Sequence, residues 1–114
     1  MRELNRSAVI VIPKQPFLDW LRFVDPTSTE LTLRDLCREP TIYLMLECES
    51  DDEFEHRLRD LFPVIFEDQL NGWWTGQSAW PVERTWAVFQ TWFECRYHSV
   101  VLDLCDQPLA EYLA

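Results

Sequence analysis

Glycine is almost absent: Gly72 and Gly76 are the only two in 114 residues. A glycine-rich phosphate cradle needs backbone with no Cβ at several neighbouring positions, so mononucleotide- and dinucleotide-binding loops of that kind are excluded. Long apolar runs are missing too. The first, Ala8 to Ile12, holds five residues, far short of the roughly 20 that cross a bilayer. The opening Met-Arg-Glu-Leu-Asn-Arg-Ser lacks the apolar core of a secretory signal. Export, membrane insertion and a membrane partner are therefore not expected, and the expected compartment is a reducing cytoplasm. Repeats, low-complexity tracts and linker-like stretches are absent as well, which leaves one domain, residues 1–114, as the expected organisation.

Basic residues are scarce where acids are dense. The formal charge is −10. Residues 1–46 carry six acids and six bases, residues 47–70 nine and two, and the remainder five and two, giving 0, −7 and −3. The acidity thus belongs to one region. Phosphate backbones would be repelled, and no basic stripe offsets this, so direct nucleic-acid binding is not expected. The four cysteines, Cys37, Cys48, Cys95 and Cys105, would permit two disulfides. With 47% apolar and 14% aromatic residues the chain can build a core without staples, and they are read as reduced thiols.

Periodicity supplies the elements. Ala8 to Ile12 is a strand of mostly β-branched residues closed by Pro13. Phe17, Trp20, Leu21 and Val24 recur at helical spacing before Asp25-Pro26. Thr32 to Pro40 holds one or two further helical turns, with Thr32 and Asp35 spaced as a capping box. Thr41 to Glu47 is a second strand. Ser50-Asp-Asp-Glu53 then opens a long helix whose stripe is Phe54, Leu58, Leu61, Phe62 and Ile65, with a kink expected at Pro63 and an end at Gly72. Trp73 to Trp80 reads as a loop, with a hairpin there as an alternative. Pro81 suits a first helical turn, Trp86, Phe89, Phe93 and Tyr97 mark a helix face, and Ser99 to Cys105 is the last strand.

The expected fold is α/β, a small three-stranded sheet, mostly parallel or mixed, with about four helical segments in the order β-α-α-β-α-α-β. All three strands are apolar at consecutive positions, which predicts a sheet covered on both faces, by helices on both or by a second protomer on one. A homo-oligomer is therefore one expected outcome.

Chemistry-bearing constellations are few. The run Glu47-Cys-Glu-Ser-Asp-Asp-Glu-Phe-Glu55 falls where a strand ends and a helix begins, a common place for ligand contacts. Its spacing lacks the glycine and the twelve-residue pattern of a calcium loop, and Asp51, Asp52 and Glu53 suit the positive end of the helix dipole. Cys95 and His98, three apart on one expected helix, share a face, yet the two further ligands a zinc site requires are missing. The helix C-terminus also opposes a thiolate at Cys95. His98, Ser99 and Asp103 have the residue types of a hydrolase triad without spacing that implies convergence. No catalytic residue, metal ligand or cofactor is assigned. Trp73, Trp74 and Trp80 crowd one loop, either closing the core or forming a docking patch.

The functional expectation is a non-enzymatic acidic protein-interaction module of regulatory, inhibitor-like or antitoxin-like kind, with a protein partner that is basic. Its expected contacts are Glu47, Glu49, Asp51, Asp52, Glu55, Trp73, Trp74 and Trp80. The alternative is a small enzyme or a metal- or ligand-binding protein with a pocket at the carboxyl ends of parallel strands, where Glu47, Glu49, Asp103 and Asp106 would gather.

Overall fold

The computed structural model describes residues 1–112. Five strands and four helices follow one another: β1 Arg2–Glu3, β2 Arg6–Pro13, α1 Gln15–Val24, α2 Leu33–Leu36, β3 Thr41–Leu46, α3 Asp51–Asn71, α4 Trp86–Trp92, β4 Phe93–His98 and β5 Leu102–Asp103. Short 3₁₀ turns lie at Pro26–Ser28 and Gln77–Ala79. No helix among the described residues is long and apolar enough to cross a membrane.

The main sheet has the order β3-β2-β4 and is antiparallel throughout, with Ile10 opposite both Ile42 and Arg96. A second, two-stranded antiparallel sheet joins β1 to β5, where Arg2 faces Asp103. The mixed α/β composition matches expectation, but the parallel arrangement does not. Connections of helical length suit parallel neighbours, yet α1 and α2 between β2 and β3 bring the chain back antiparallel to β2.

The caps of α2 and α3 are those the sequence predicts. Asp35 N–H donates to Thr32 Oγ1 at 3.2 Å while Asp35 Oδ2 accepts the Thr32 N–H at 2.9 Å. The Thr32 N–H first, and the Thr32 hydroxyl donating to Asp35 Oδ2 second, hold the Asp35 carboxyl below the ordinary carboxylate range. Ser50 caps α3 through Glu53 N–H, and the Glu53 carboxylate reaches back to Glu49 N–H at 2.7 Å. The helix runs unbroken through Pro63 and ends at Gly72.

Three expectations in the second half need correction. Pro81 does not start a helix; α4 begins at Trp86, capped by Thr85. That helix stops at Trp92, and Phe93 to His98, read as its continuation, is the strand β4. Phe93, Cys95 and Tyr97 alternate with Glu94, Arg96 and His98, a period of two that coincides with helical spacing at Phe89, Phe93 and Tyr97. Of the expected strand Ser99 to Cys105 only Leu102–Asp103 pairs, and it does so outside the main sheet.

All four helices contribute to a core beneath one face of the main sheet. Ser7, Val9, Val11 and Pro13 of β2 point inward in register with Met45, Tyr43, Thr41 and Phe93, and Val9, Val11, Met45 and Phe93 join Phe17, Leu21, Phe66, Leu70 and Phe89 in the buried cluster. Phe93 meets Phe17, Phe66 and Phe89 with ring centroids 5.6, 5.3 and 5.1 Å apart. The opposite face is covered only in part: on β2 Ala8 is buried and Arg6, Ile10 and Ile12 are half-buried, whereas Ile42, Leu44 and Leu46 of β3 beside them are 61%, 52% and 60% exposed.

Candidate functional site

Thr41-Ile-Tyr-Leu-Met-Leu46 forms a strand because β-branched and large apolar residues suit the pleat, with Pro40 ahead and the acidic run behind. Its inward side chains are fixed: the Tyr43 hydroxyl donates to Asp68 Oδ2 at 2.5 Å and accepts from Gln69 Nε2 at 2.8 Å, and the same Gln69 donates to Thr41. Burial first, and the bond to Asp68 second, push the Tyr43 phenol far above its ordinary range, so it stays protonated. Its outward side chains Ile42, Leu44 and Leu46 meet water. Beside them a groove of about 430 Å³ separates Leu44 and Arg6 from Leu109 to Glu111, and on the inward side a second groove runs between Leu44 to Leu46 and Arg57, Asp60 and Leu61 of α3.

The acidic run follows directly. Cys48 anchors it: its N–H donates to Ser7 Oγ at 3.0 Å, its carbonyl accepts the Tyr97 hydroxyl, and its side chain is buried. Glu47 and Glu49 on either side point to water, as do Asp51, Asp52 and Glu55 on the first turns of α3. None of the five is in an ion pair among the described residues. The structure therefore joins these carboxylates to an exposed apolar strand that sequence reading missed. The missed signal is that an apolar run on an edge strand can be half-exposed, and periodicity alone does not reveal it.

The tryptophans lie elsewhere. Twenty-one residues of α3 separate the two regions by about 30 Å at 1.5 Å rise per residue. Trp80 packs against the core and donates its Nε1 to the Trp74 carbonyl at 2.8 Å. Trp20 Nε1 donates to the Ala79 carbonyl at 2.9 Å. A Cβ on Gly76 would stand 2.9 Å from Trp74 Nε1, so a side chain there would displace the Trp74 indole. Trp74 and Trp80 are partly buried in this closure, and Trp73 is 40% exposed.

The other constellations are dispersed. On β4, Cys95 and His98 take opposite faces, because their separation is odd in a strand of period two, which corrects the shared helix face. Burial first raises the Cys95 thiol to about 11, with Lys14 opposing and Glu94 adding to the shift. The expected gathering of Glu47, Glu49, Asp103 and Asp106 required parallel strands. Instead Leu46 at the end of β3 pairs with Arg6 at the start of β2, and the Asp103 carboxylate accepts from Arg2 Nη2 at 2.6 Å and from the Cys105 N–H at 2.8 Å. Among the described residues no three His, Cys, Asp or Glu side chains converge as a metal site would need. An apolar crevice of about 340 Å³ opens between α3 and α4, lined by Phe54, Leu58, Trp86, Phe89, Phe93 and Cys95, with Glu55 at its rim. No protein-family model, curated protein or solved structure matches the chain.

Proposed function

We propose that this chain is a non-enzymatic protein-interaction module whose working surface is the outward side of β3 together with the carboxylates that follow it. One observation carries this: Ile42, Leu44 and Leu46, each more than half exposed, run straight into Glu47, Glu49, Asp51, Asp52 and Glu55, none of them ion-paired. Contiguous exposed apolar surface rimmed by charge is the composition of a contact surface, in which buried area supplies affinity and the charges select the partner and speed its approach. A basic protein partner in a regulatory, inhibitor-like or antitoxin-like pairing fits that chemistry. Trp73 is a separate contact at the far end of α3, whereas Trp74 and Trp80 serve to hold it there.

The test is capture of partners by the tagged chain, compared with a variant carrying Glu47→Gln, Glu49→Gln, Asp51→Asn and Asp52→Asn. A genuine complex weakens steeply with added salt and is lost in the neutralised variant. Complexes indifferent to both changes would remove the acidic surface from the proposal.

A second reading is favoured by the aromatic crevice between α3 and α4, whose volume suits a small apolar ligand. Saturable binding of such a compound by titration calorimetry, lost in Leu58→Trp, would support it.

A further inference from the structure

The segment that follows β5 is held firmly where it starts and loosely beyond. Arg2 gathers it: Nη2 donates to Asp103 Oδ2 at 2.6 Å, to the Cys105 carbonyl at 3.2 Å and to the Gln107 carbonyl at 2.9 Å. The Cys105 N–H closes the turn on Asp103 Oδ1 at 2.8 Å. Past Gln107 these fastenings stop. Among the described residues no hydrogen bond or ion pair holds Pro108 to Tyr112, and they lie in neither helix nor strand. Leu109 is 67% and Tyr112 94% exposed, so two large side chains stand in water with apolar area to bury.

Their nearest apolar neighbour is across the groove beside β3. One wall of that groove is Leu109 to Glu111, the other is Leu44 with Leu4 to Arg6, and the space between them is about 430 Å³. Leu44 belongs to the exposed outward row with Ile42 and Leu46. Resting on the reading of that row as an interaction surface, we infer that Pro108 to Tyr112 is a strap that swings on the Arg2 hinge, lays Leu109 on Leu44 and masks the outward side of β3 until a partner displaces it. The occupant is this segment because it already stands at the groove and cannot leave it. Leu109 lies two residues past Gln107, and two residues reach about 7 Å at most, so it stays beside Leu44 while the Arg2 contacts last.

Apolar area drives the closure and charge adds little. Arg6 and Glu111 stand on opposite walls without an ion pair, but exposed Glu47 follows Leu46, the partner of Arg6 in register, and offsets their attraction. Tethering supplies what the small contact lacks. A segment fastened beside its target meets it at an effective concentration on the order of millimolar. Pro108 adds to this, since its ring fixes its own φ and keeps Gln107 extended, leaving the strap less freedom to lose on closing. The consequence for the proposed function is a built-in competitor: the apparent affinity of any partner for the outward side of β3 falls with the fraction of chains that are closed.

Cysteine cross-linking in a Cys105→Ser background reads the closed state. Leu44→Cys with Leu109→Cys is expected to form a disulfide within one chain on oxidation, at least about tenfold faster than Leu61→Cys with Leu109→Cys, because only the first pair shares the groove and its raised effective concentration. Leu61 opens on the inward groove instead. Arg2→Gln frees the hinge and is expected to slow the first cross-link. Masking is read with the neutral dye Nile red: the cross-linked chain binds less than the same chain after reduction, Leu109→Asp binds more than the unaltered chain, and Leu44→Lys removes that gain. Unchanged circular dichroism confirms that each variant folds. A cross-link between positions 44 and 109 no faster than the Leu61 control, or equal dye bound by the locked and the reduced chain, would overturn the inference. Partner capture is a separate measurement. A chain that fails to cross-link yet holds a salt-sensitive basic partner sinks the strap and leaves the proposed function standing, whereas one that cross-links and holds no partner keeps the strap and sinks the function.

Discussion

The two edge strands, β3 and β4, share the same central neighbour and the same antiparallel pairing, yet they meet water on opposite terms. β4 alternates strictly: Phe93, Cys95 and Tyr97 turn to the core and Glu94, Arg96 and His98 turn outward. β3 keeps Tyr43 and Met45 for the core but sets Ile42, Leu44 and Leu46 outward. Across the outward face the rows therefore run from apolar to charged, Ile42 to Ile10 to Arg96 and Leu44 to Ala8 to His98. Both are sheet edges, but charged side chains guard β4 whereas apolar ones flank β3, and the proposed contact surface rests on that difference.

The contrast can be broken most sharply on the inner face, where the edges should behave alike. Phe93→Ala removes a ring only 3% exposed and is expected to cost about 3–5 kcal/mol in urea unfolding, while neighbouring Glu94→Ala stays within about 0.5 kcal/mol. Met45→Ala on β3 should cost about 2–5 kcal/mol, and Leu44→Ala under about 0.5 kcal/mol. Equal losses at Met45 and Leu44 would mean that the outward face of β3 is covered after all.

Smaller effects sharpen the picture. Tyr43→Phe removes the hydroxyl bonded to Asp68 and Gln69 and is expected to lower stability by about 1–3 kcal/mol, read from the thermal midpoint. At Cys95 the folded thiol titrates near 11 against an ordinary 9.0. A raised value means that its contribution is fully present below about pH 9 and fades as pH rises toward 11. Cys95→Ala should flatten that alkaline decline in thermal midpoint, and Cys95 should alkylate more slowly than exposed Cys105. The smallest effect belongs to Asp103, held below 3.8 chiefly by the Cys105 N–H and then by Arg2. Its contribution exists above that pH and is lost as pH falls through the lowered value, so Asp103→Asn should blunt the acid end of the stability profile and loosen the β1 to β5 pairing.

Local signals were legible wherever they were self-contained. The Thr32–Asp35 box, the Ser50 cap, the Gly72 stop and the strands at Ala8 to Ile12 and Thr41 to Glu47 depend on neighbours a few residues away. Phe93 to His98 failed because one set of residues satisfied two periods, and the choice was made by Pro13 and Val11 of β2, about eighty positions earlier in the chain. The candidate site divided in the same way. Its carboxylates were visible as composition, but their neighbour, the open strand, was read as doubly buried because consecutive apolar residues look alike whether a second layer covers them or not.

By itself the sequence determined the Thr32 and Ser50 helix caps, the two apolar strands and the placement of negative charge after residue 46, since each depends on residue type and short spacing. Tertiary structure alone decided the antiparallel order β3-β2-β4, the conversion of Phe93 to His98 into a strand and the exposure of Ile42, Leu44 and Leu46. Pairing and exposure are properties of which distant segments lie alongside one another, and short-range pattern carries no record of that.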